Sequence, residues 1–228
     1  MASRRGADEL ILAGRVTVND RPVLTPGITV QWGKDRICVD GNPIPSPKQP
    51  LYLMMNKPFG VISGLSDPEG RPVVIDLLRD VNERVYPVGR LDFNSLGLLL
   101  LTNDGEWAHR MTHPRYRVPR VYKVTLDGEI PQESMERLRR GVTLDDGFSG
   151  PAGVTLLSKN SQRSVIRIKL HLGRSRIIRR MLDAVGHPVI QLMRIGFGPL
   201  VLGDLKVGSY RPLTDSETAE VRRAVGLK

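Results

Sequence analysis

Asp92 stands directly ahead of an apolar run in VGRLDFNSLGLLLLTNDGEW (88–107). A carboxylate at the entrance to a core must be answered by a cation or by hydrogen-bond donors, because burial disfavours its charged form. Arg90 is two positions away and, in an extended segment, shares the face of Asp92, as its partner or as a ligand contact. Two arginine-rich stretches supply further cations. HRMTHPRYRVPRVYK (109–123) interleaves Arg110, Arg115, Arg117, Arg120 and Lys123 with Tyr116 and Tyr122 and contains no acid. Arginine suits phosphate and a tyrosine face suits an unstacked base, so this stretch reads as a nucleic-acid contact rather than a merely solvated loop. GRSRIIRR (173–180) carries Arg174, Arg176, Arg179 and Arg180. Helical spacing puts Arg176 and Arg180 on one face and turns Arg179 toward the apolar side, where a buried carboxylate is its natural partner.

The elements that must hold these residues are legible from periodicity. GNPIPSPKQP (41–50) has four prolines in ten positions and reads as a stiff linker between a small module (1–40) and a larger domain (51–228). In the module, ADELILAG is expected to be a helix ending at Gly14, followed by strands in VTVND, RPVLTPGITV and DRICVDG. So few residues bury little core. In the larger domain, strands are expected at LYLMMNKP, RVYPVG, LGLLLLT, VYKVTLDG, SVIRIKLHL and HPVIQLMRIGFG. Helices are expected at VVIDLLRD, after the capping turn Thr102 to Gly105, at PQESMERLRRG, at SRIIRRMLDAVG and at TDSETAEVRRAVG, the last with a Thr214/Glu217 capping box. The pattern is α+β: a mixed, mainly antiparallel central sheet flanked by helices, with a small N-terminal α/β module.

Charge narrows the partner. Lys plus Arg total 34 against 24 Asp plus Glu, a formal net charge of +10 that favours a polyanion, nucleic acid first. No secretory h-region, lipidation signal or bilayer-length apolar run is evident, so a soluble, cytoplasmic and monomeric protein is expected. The single Cys38 excludes an intrachain disulfide and a multi-cysteine zinc site. His109 and His113 share a helix spacing, but Pro114 follows and no Glu lies between them, so no metal is expected.

VGRLDFNSLGLLLLTNDGEWAHRMTHP, RVYKV, HLGRSRIIRRMLDAVGHPVIQLMRIGFGPLVLGDL, NKPFGVIS and RPLT together resemble the RsuA/RluB type of ribosomal RNA pseudouridine synthase. SRRGADELILAGRVTVNDRPV resembles the S4-type RNA-binding module that such enzymes carry, starting at what would be its second helix. The resemblance implies the pseudouridine synthase fold and an isomerase that detaches uracil from ribose, turns it and rejoins it through C5, with neither metal nor cofactor. It implies that Asp92 is the catalytic aspartate, as nucleophile at C1′ or base at C2′. Tyr122 would stack on the target base and assist at C5, and Arg179 would pair with the aspartate. RNA contacts would come from Arg4, Arg5 and Arg15 in the module and from Arg90, Arg110, Arg115, Arg117, Arg120, Lys123, Arg174, Arg176 and Arg180 in the larger domain. Leu172, Ser175 and Ile177 stand where the family usually shows Glu, Asn and Gln, and Ser95 where Thr is commoner. Two other readings remain: a non-catalytic RNA-binding or ribosome-assembly factor, and a nucleic-acid glycosidase, which would want a second carboxylate.

Overall fold

The computed structural model describes residues 4–46 and 49–227, and the chain divides into two compact units, Met1–Gln49 and Pro50–Lys228. The first holds helix α1 (Arg4–Leu12) and strands β1 (Val16–Val18), β2 (Arg21–Pro22), β3 (Ile37–Val39) and β4 (Asn42–Pro43), in the antiparallel order β2-β1-β3-β4. Both outer hairpins close through two residues of positive φ, Asn19-Asp20 and Asp40-Gly41, the geometry whose twist matches that of paired strands. The second hairpin lies partly in the expected linker. Its Asp-Gly turn outweighs the proline count, and Pro43 is tolerated because β4 is an edge. Only Arg21–Pro22 of the long strand expected after Asp20 forms, since Pro26 and Gly27 interrupt the rest. Cys38 is buried, whereas α1 buries no residue fully.

The second unit runs β5 (Tyr52–Lys57), a 3₁₀ turn (Val74–Leu77), β6 (Tyr86–Pro87), β7 (Leu96–Thr102), α2 (Gly105–Thr112), a 3₁₀ turn (Pro114–Tyr116), β8 (Arg120–Asp127) and α3 (Gln132–Arg140). It continues with β9 (Thr143–Leu144), β10 (Gly147–Phe148), β11 (Gly153–Lys159), β12 (Arg163–Leu170), α4 (Ile177–Asp183), β13 (Val189–Phe197), β14 (Leu200–Val201), β15 (Tyr210–Pro212) and α5 (Asp215–Ala224). The central sheet has the order β11-β12-β8-β13-β7-β5-β15, with β14 on β13 and β6 on β7. Its pairings are antiparallel except β13 with β7. The mixed, mainly antiparallel sheet expected from the sequence is present.

β7 is buried on both faces, which is why it reads as an unbroken apolar run. Leu98 and Leu100 pack with Trp107, Met111, Phe197 and Val221, and Leu99 and Leu101 with Leu53, Met55, Val74 and Val85. Full burial of each leucine contributes roughly 1.5–3 kcal/mol. β12 alternates instead, because only one face meets α3 and α4. Asp104 caps α2 by accepting from Trp107 N (3.0 Å), and the Thr214/Glu217 capping box of α5 is formed.

In the second unit three expected elements are shortened or replaced. VVIDLLRD makes a single 3₁₀ turn because consecutive β-branched residues after Pro72 disfavour an α-helix. RVYPVG is reduced to Tyr86–Pro87, and SRIIRR becomes helical only at Ile177, since Arg176 is left-handed at φ +48°. β11 and the β9–β10 hairpin were not anticipated.

Candidate active site

The segment 89–95 leaves β6 and enters β7 as a turn, tightened by Ser95 N donating to Asp92 O (3.0 Å). It is not a strand. Arg90 and Asp92 therefore do not share a strand face, contrary to the expectation from spacing, and Arg90 is exposed. Three contacts hold the turn. Ser63 Oγ donates to Leu91 O (2.9 Å) and accepts from Leu91 N (3.1 Å), and Gly60 N donates to Phe93 O (3.0 Å). Beneath them the ammonium of Lys57, fully buried, reaches Pro58 O (2.8 Å), Ser95 O (2.9 Å) and Phe93 O (3.5 Å). Burial pushes Lys57 down to about 8, and the attraction of Asp92 works the other way. Sequence reasoning missed Lys57, although its signal is the one that marked Asp92: a lone charge at the end of an apolar strand.

Asp92, partly buried, and Tyr122 of β8 both line a cavity of about 680 Å³, a size suited to a nucleotide-sized ligand. Arg90, Arg120, Arg174, Arg176 and Arg194 line it too, and Asp92 is the one acid on its wall among the described residues. Arg194, also unanticipated, lies opposite Tyr122 in the β13–β8 register and is 2 % exposed. Its Nε donates to Leu98 O (2.7 Å) and its guanidinium lies 4.7 Å from the centre of the Phe197 ring. Arg120 approaches the same ring at 5.1 Å. Burial lowers the pKa of both arginines, and the attraction of Tyr122 offsets part of this. Gly97 makes room for this stretch of β13: at φ +104° its added Cβ would stand 2.2 Å from Arg194 O.

Arg179 is turned inward, but onto backbone. Its Nη2 donates to Asn94 O (3.0 Å) and its Nη1 to Val189 O (3.4 Å). Burial first, then repulsion from Arg176, lowers its pKa, while Asp92 and Asp183 attract it. No hydrogen bond or ion pair joins it to Asp92, and it is not on the cavity wall; its contacts are with the backbone of Asn94 and Val189.

The other arginines divide sharply. Arg110 binds Glu106 (2.6 Å) and the α5 C-terminal carbonyls of Val225 (3.2 Å) and Gly226 (2.7 Å). Arg120, expected as a surface RNA contact, is 8 % exposed and faces the carbonyls of Met111, Thr112 and His171. Arg174 and Arg180 both pair with Asp146 in the β9–β10 turn, at 3.1 and 2.7 Å. Tyr116 is covered by Arg110 and Arg115 at 5.5 and 4.5 Å. Arg115, Arg117, Lys123 and Arg176 are exposed; Arg4, Arg5 and Arg15 are exposed on the first unit, where Arg15 pairs with Asp40.

One carboxylate in a cation-rich cavity, facing a tyrosine, defines a site for covalent or proton-transfer chemistry on an anionic substrate rather than for hydrolysis by a carboxylate pair. The family description "RNA pseudouridylate synthase" matches residues 51–184, and "S4 domain" matches residues 1–37. The chain is 43% identical over 224 residues to a "Ribosomal large subunit pseudouridine synthase B" of Bacillus subtilis, covering 97% of this chain and 91% of the relative. It is 34% identical over 222 residues to a "Ribosomal small subunit pseudouridine synthase A" of Escherichia coli, covering 96% and 94%. A crystal structure of a pseudouridylate synthase superposes with a TM-score of 0.71 at 27% identity, covering 96% of this chain and 94% of that one. The chain belongs to the RNA pseudouridylate synthase family. Its chemistry is the isomerisation of uridine to pseudouridine in RNA.

Proposed function

We propose that the protein is a cytoplasmic, monomeric enzyme acting on ribosomal RNA, with Asp92 as the catalytic aspartate, Tyr122 against the target base and Arg179 steadying the Asp92 turn. The observation that carries this reading is the convergence of Asp92 and Tyr122 on one arginine-lined cavity. The named relatives act on ribosomal RNA of either subunit, and the basic balance of the chain suits that partner. Among the described residues no helix is long and apolar enough to cross a membrane.

The target uridine leaves its stack to reach the cavity, which costs a few kcal/mol that arginine–phosphate contacts and stacking offset. The carboxylate of Asp92 then acts on the ribose, at C1′ as nucleophile or at C2′ as base. The N1–C1′ bond breaks, the uracil turns, C5 bonds to C1′, and the C5 proton leaves with the help of Tyr122 while N1 regains one. No net oxidation occurs and no water is consumed. The test is Asp92→Asn with ribosomal RNA transcripts: pseudouridine formation mapped chemically should vanish while RNA affinity survives. Undiminished pseudouridine in that variant would overturn the reading.

A further inference from the structure

Two phenylalanines beside Asp92 are left uncovered by the fold. Phe59 is 61% exposed and Phe93, adjacent to Asp92 on the cavity rim, is 39% exposed. Their ring centres are 6.3 Å apart with planes inclined at 51°. They come from separate segments whose backbones are tied together: Gly60 N donates to Phe93 O, and Lys57 joins Pro58 O to Phe93 O and Ser95 O. The clamp that holds the Asp92 turn therefore also holds the backbone that carries both rings. An apolar ring in water next to a reaction centre gives the fold nothing, whereas its face suits a nucleobase, since stacking is sequence-tolerant and needs no hydrogen-bond partner. The cavity wall behind the rim carries six arginines, Arg71, Arg90, Arg120, Arg174, Arg176 and Arg194, against the single acid Asp92, and Arg90 and Arg176 are exposed, so the backbone of an approaching strand is attracted to this edge.

We propose that Phe59 and Phe93 form a stacking platform for the unpaired base next to the target uridine, so that the enzyme engages a single-stranded stretch rather than one flipped nucleotide in an intact helix. This rests on the proposed site at Asp92 and adds to it a second base subsite. The platform fixes the neighbouring nucleotide at a set offset from Asp92, which makes these two rings determinants of which uridine enters.

The experiment uses the full chain and a nine-nucleotide single-stranded RNA whose central uridine is flanked by 2-aminopurine, a base whose fluorescence falls when it stacks. Wild type should quench the probe. Phe59→Leu and Phe93→Leu, which keep apolar bulk but lose the aromatic face, should each weaken binding about tenfold and abolish part of the quench, within the range of base–aromatic stacking. Phe93→Trp should restore both. With ribosomal RNA transcripts the loss should appear in KM. Quench and affinity unchanged in both leucine variants, or no quench with wild type, would overturn the proposal, and unfolding midpoints equal to that of wild type show that the variants fold. Failure of the catalytic reading is seen separately, as an absence of pseudouridine from transcripts treated with wild type.

Discussion

Two of the segments that carry expected catalytic residues are anchored differently at the ends nearest the cavity. Residues 89–102 carry Asp92 on a turn whose carbonyls are gripped by a buried ammonium and a buried serine, ahead of a strand packed on both faces. Residues 172–183 carry Arg179 behind a loop with a left-handed Arg176, and that loop is tied at the surface by Arg174 and Arg180 to Asp146. Burial fixes the acid and also α4, through Ile177, Ile178, Met181 and Leu182, whereas charge fixes the loop ahead of α4. The first grip is insensitive to salt, whereas the second is screened over about 8 Å at physiological ionic strength. The turn that carries the acid is thus set without surface ion pairs, whereas the loop ahead of α4 depends on them.

Variants that break this contrast should fall in a clear order. Gly97→Ala places a Cβ against Arg194 O at a positive φ, so the β7–β13 junction must separate. Its destabilisation should be of the exceptional class, about 4 kcal/mol or more, read as a collapse of the unfolding midpoint. Leu100→Ala, fully buried in the same strand, should cost about 2–5 kcal/mol in denaturant unfolding and leave a folded protein.

Lys57→Met sharpens the comparison through pH. Lys57 sits at about 8 in the folded chain, below its ordinary 10.5, so between these values the unfolded chain holds a proton that the native state lacks. Stability then rises with pH in that window for this group. The wild type should gain on Lys57→Met as pH goes from 8 to 10.5, and parallel curves for the two proteins would show that the ammonium is not buried as described. The smallest effect is expected at Asp146→Asn. The unfolding midpoint should barely move, because Asp146 and its partners lie near the surface, whereas Arg174 and Arg180 lose their carboxylate partner and keep only carbonyls. RNA affinity should tighten a few-fold, and the slope of log K against log salt should steepen by about 0.7 for each phosphate newly contacted on a single strand. An unchanged slope would mean that these arginines do not reach RNA.

The charge of this chain illustrates what composition conceals. HRMTHPRYRVPRVYK has no acid and reads as uniformly available to phosphate, yet Arg110 is spent on Glu106 and the end of α5, and Arg120 on carbonyls beneath Phe197. Carbonyl oxygens consume cations without altering any count of charged residues. The same blindness hid Lys57 and Arg194, whose partners include backbone carbonyls distant along the chain, in the turn 89–95 and in β7.

What the sequence by itself determined is local. The continuous leucines of β7, the alternation of β12, the Asp104 and Thr214 caps and the acid at the mouth of a core all follow from neighbours a few positions apart, where periodicity and capping chemistry act. The ordered motifs around Asp92, Tyr122 and Arg179 reached the family as well. The tertiary structure alone decided which arginines stay free, that Arg179 grips the Asn94 carbonyl rather than the Asp92 carboxylate, and that Phe59 lies against Phe93. Those outcomes depend on atoms brought together from strands and loops distant along the chain, and on how far each charge is removed from water, and neither is written in spacing.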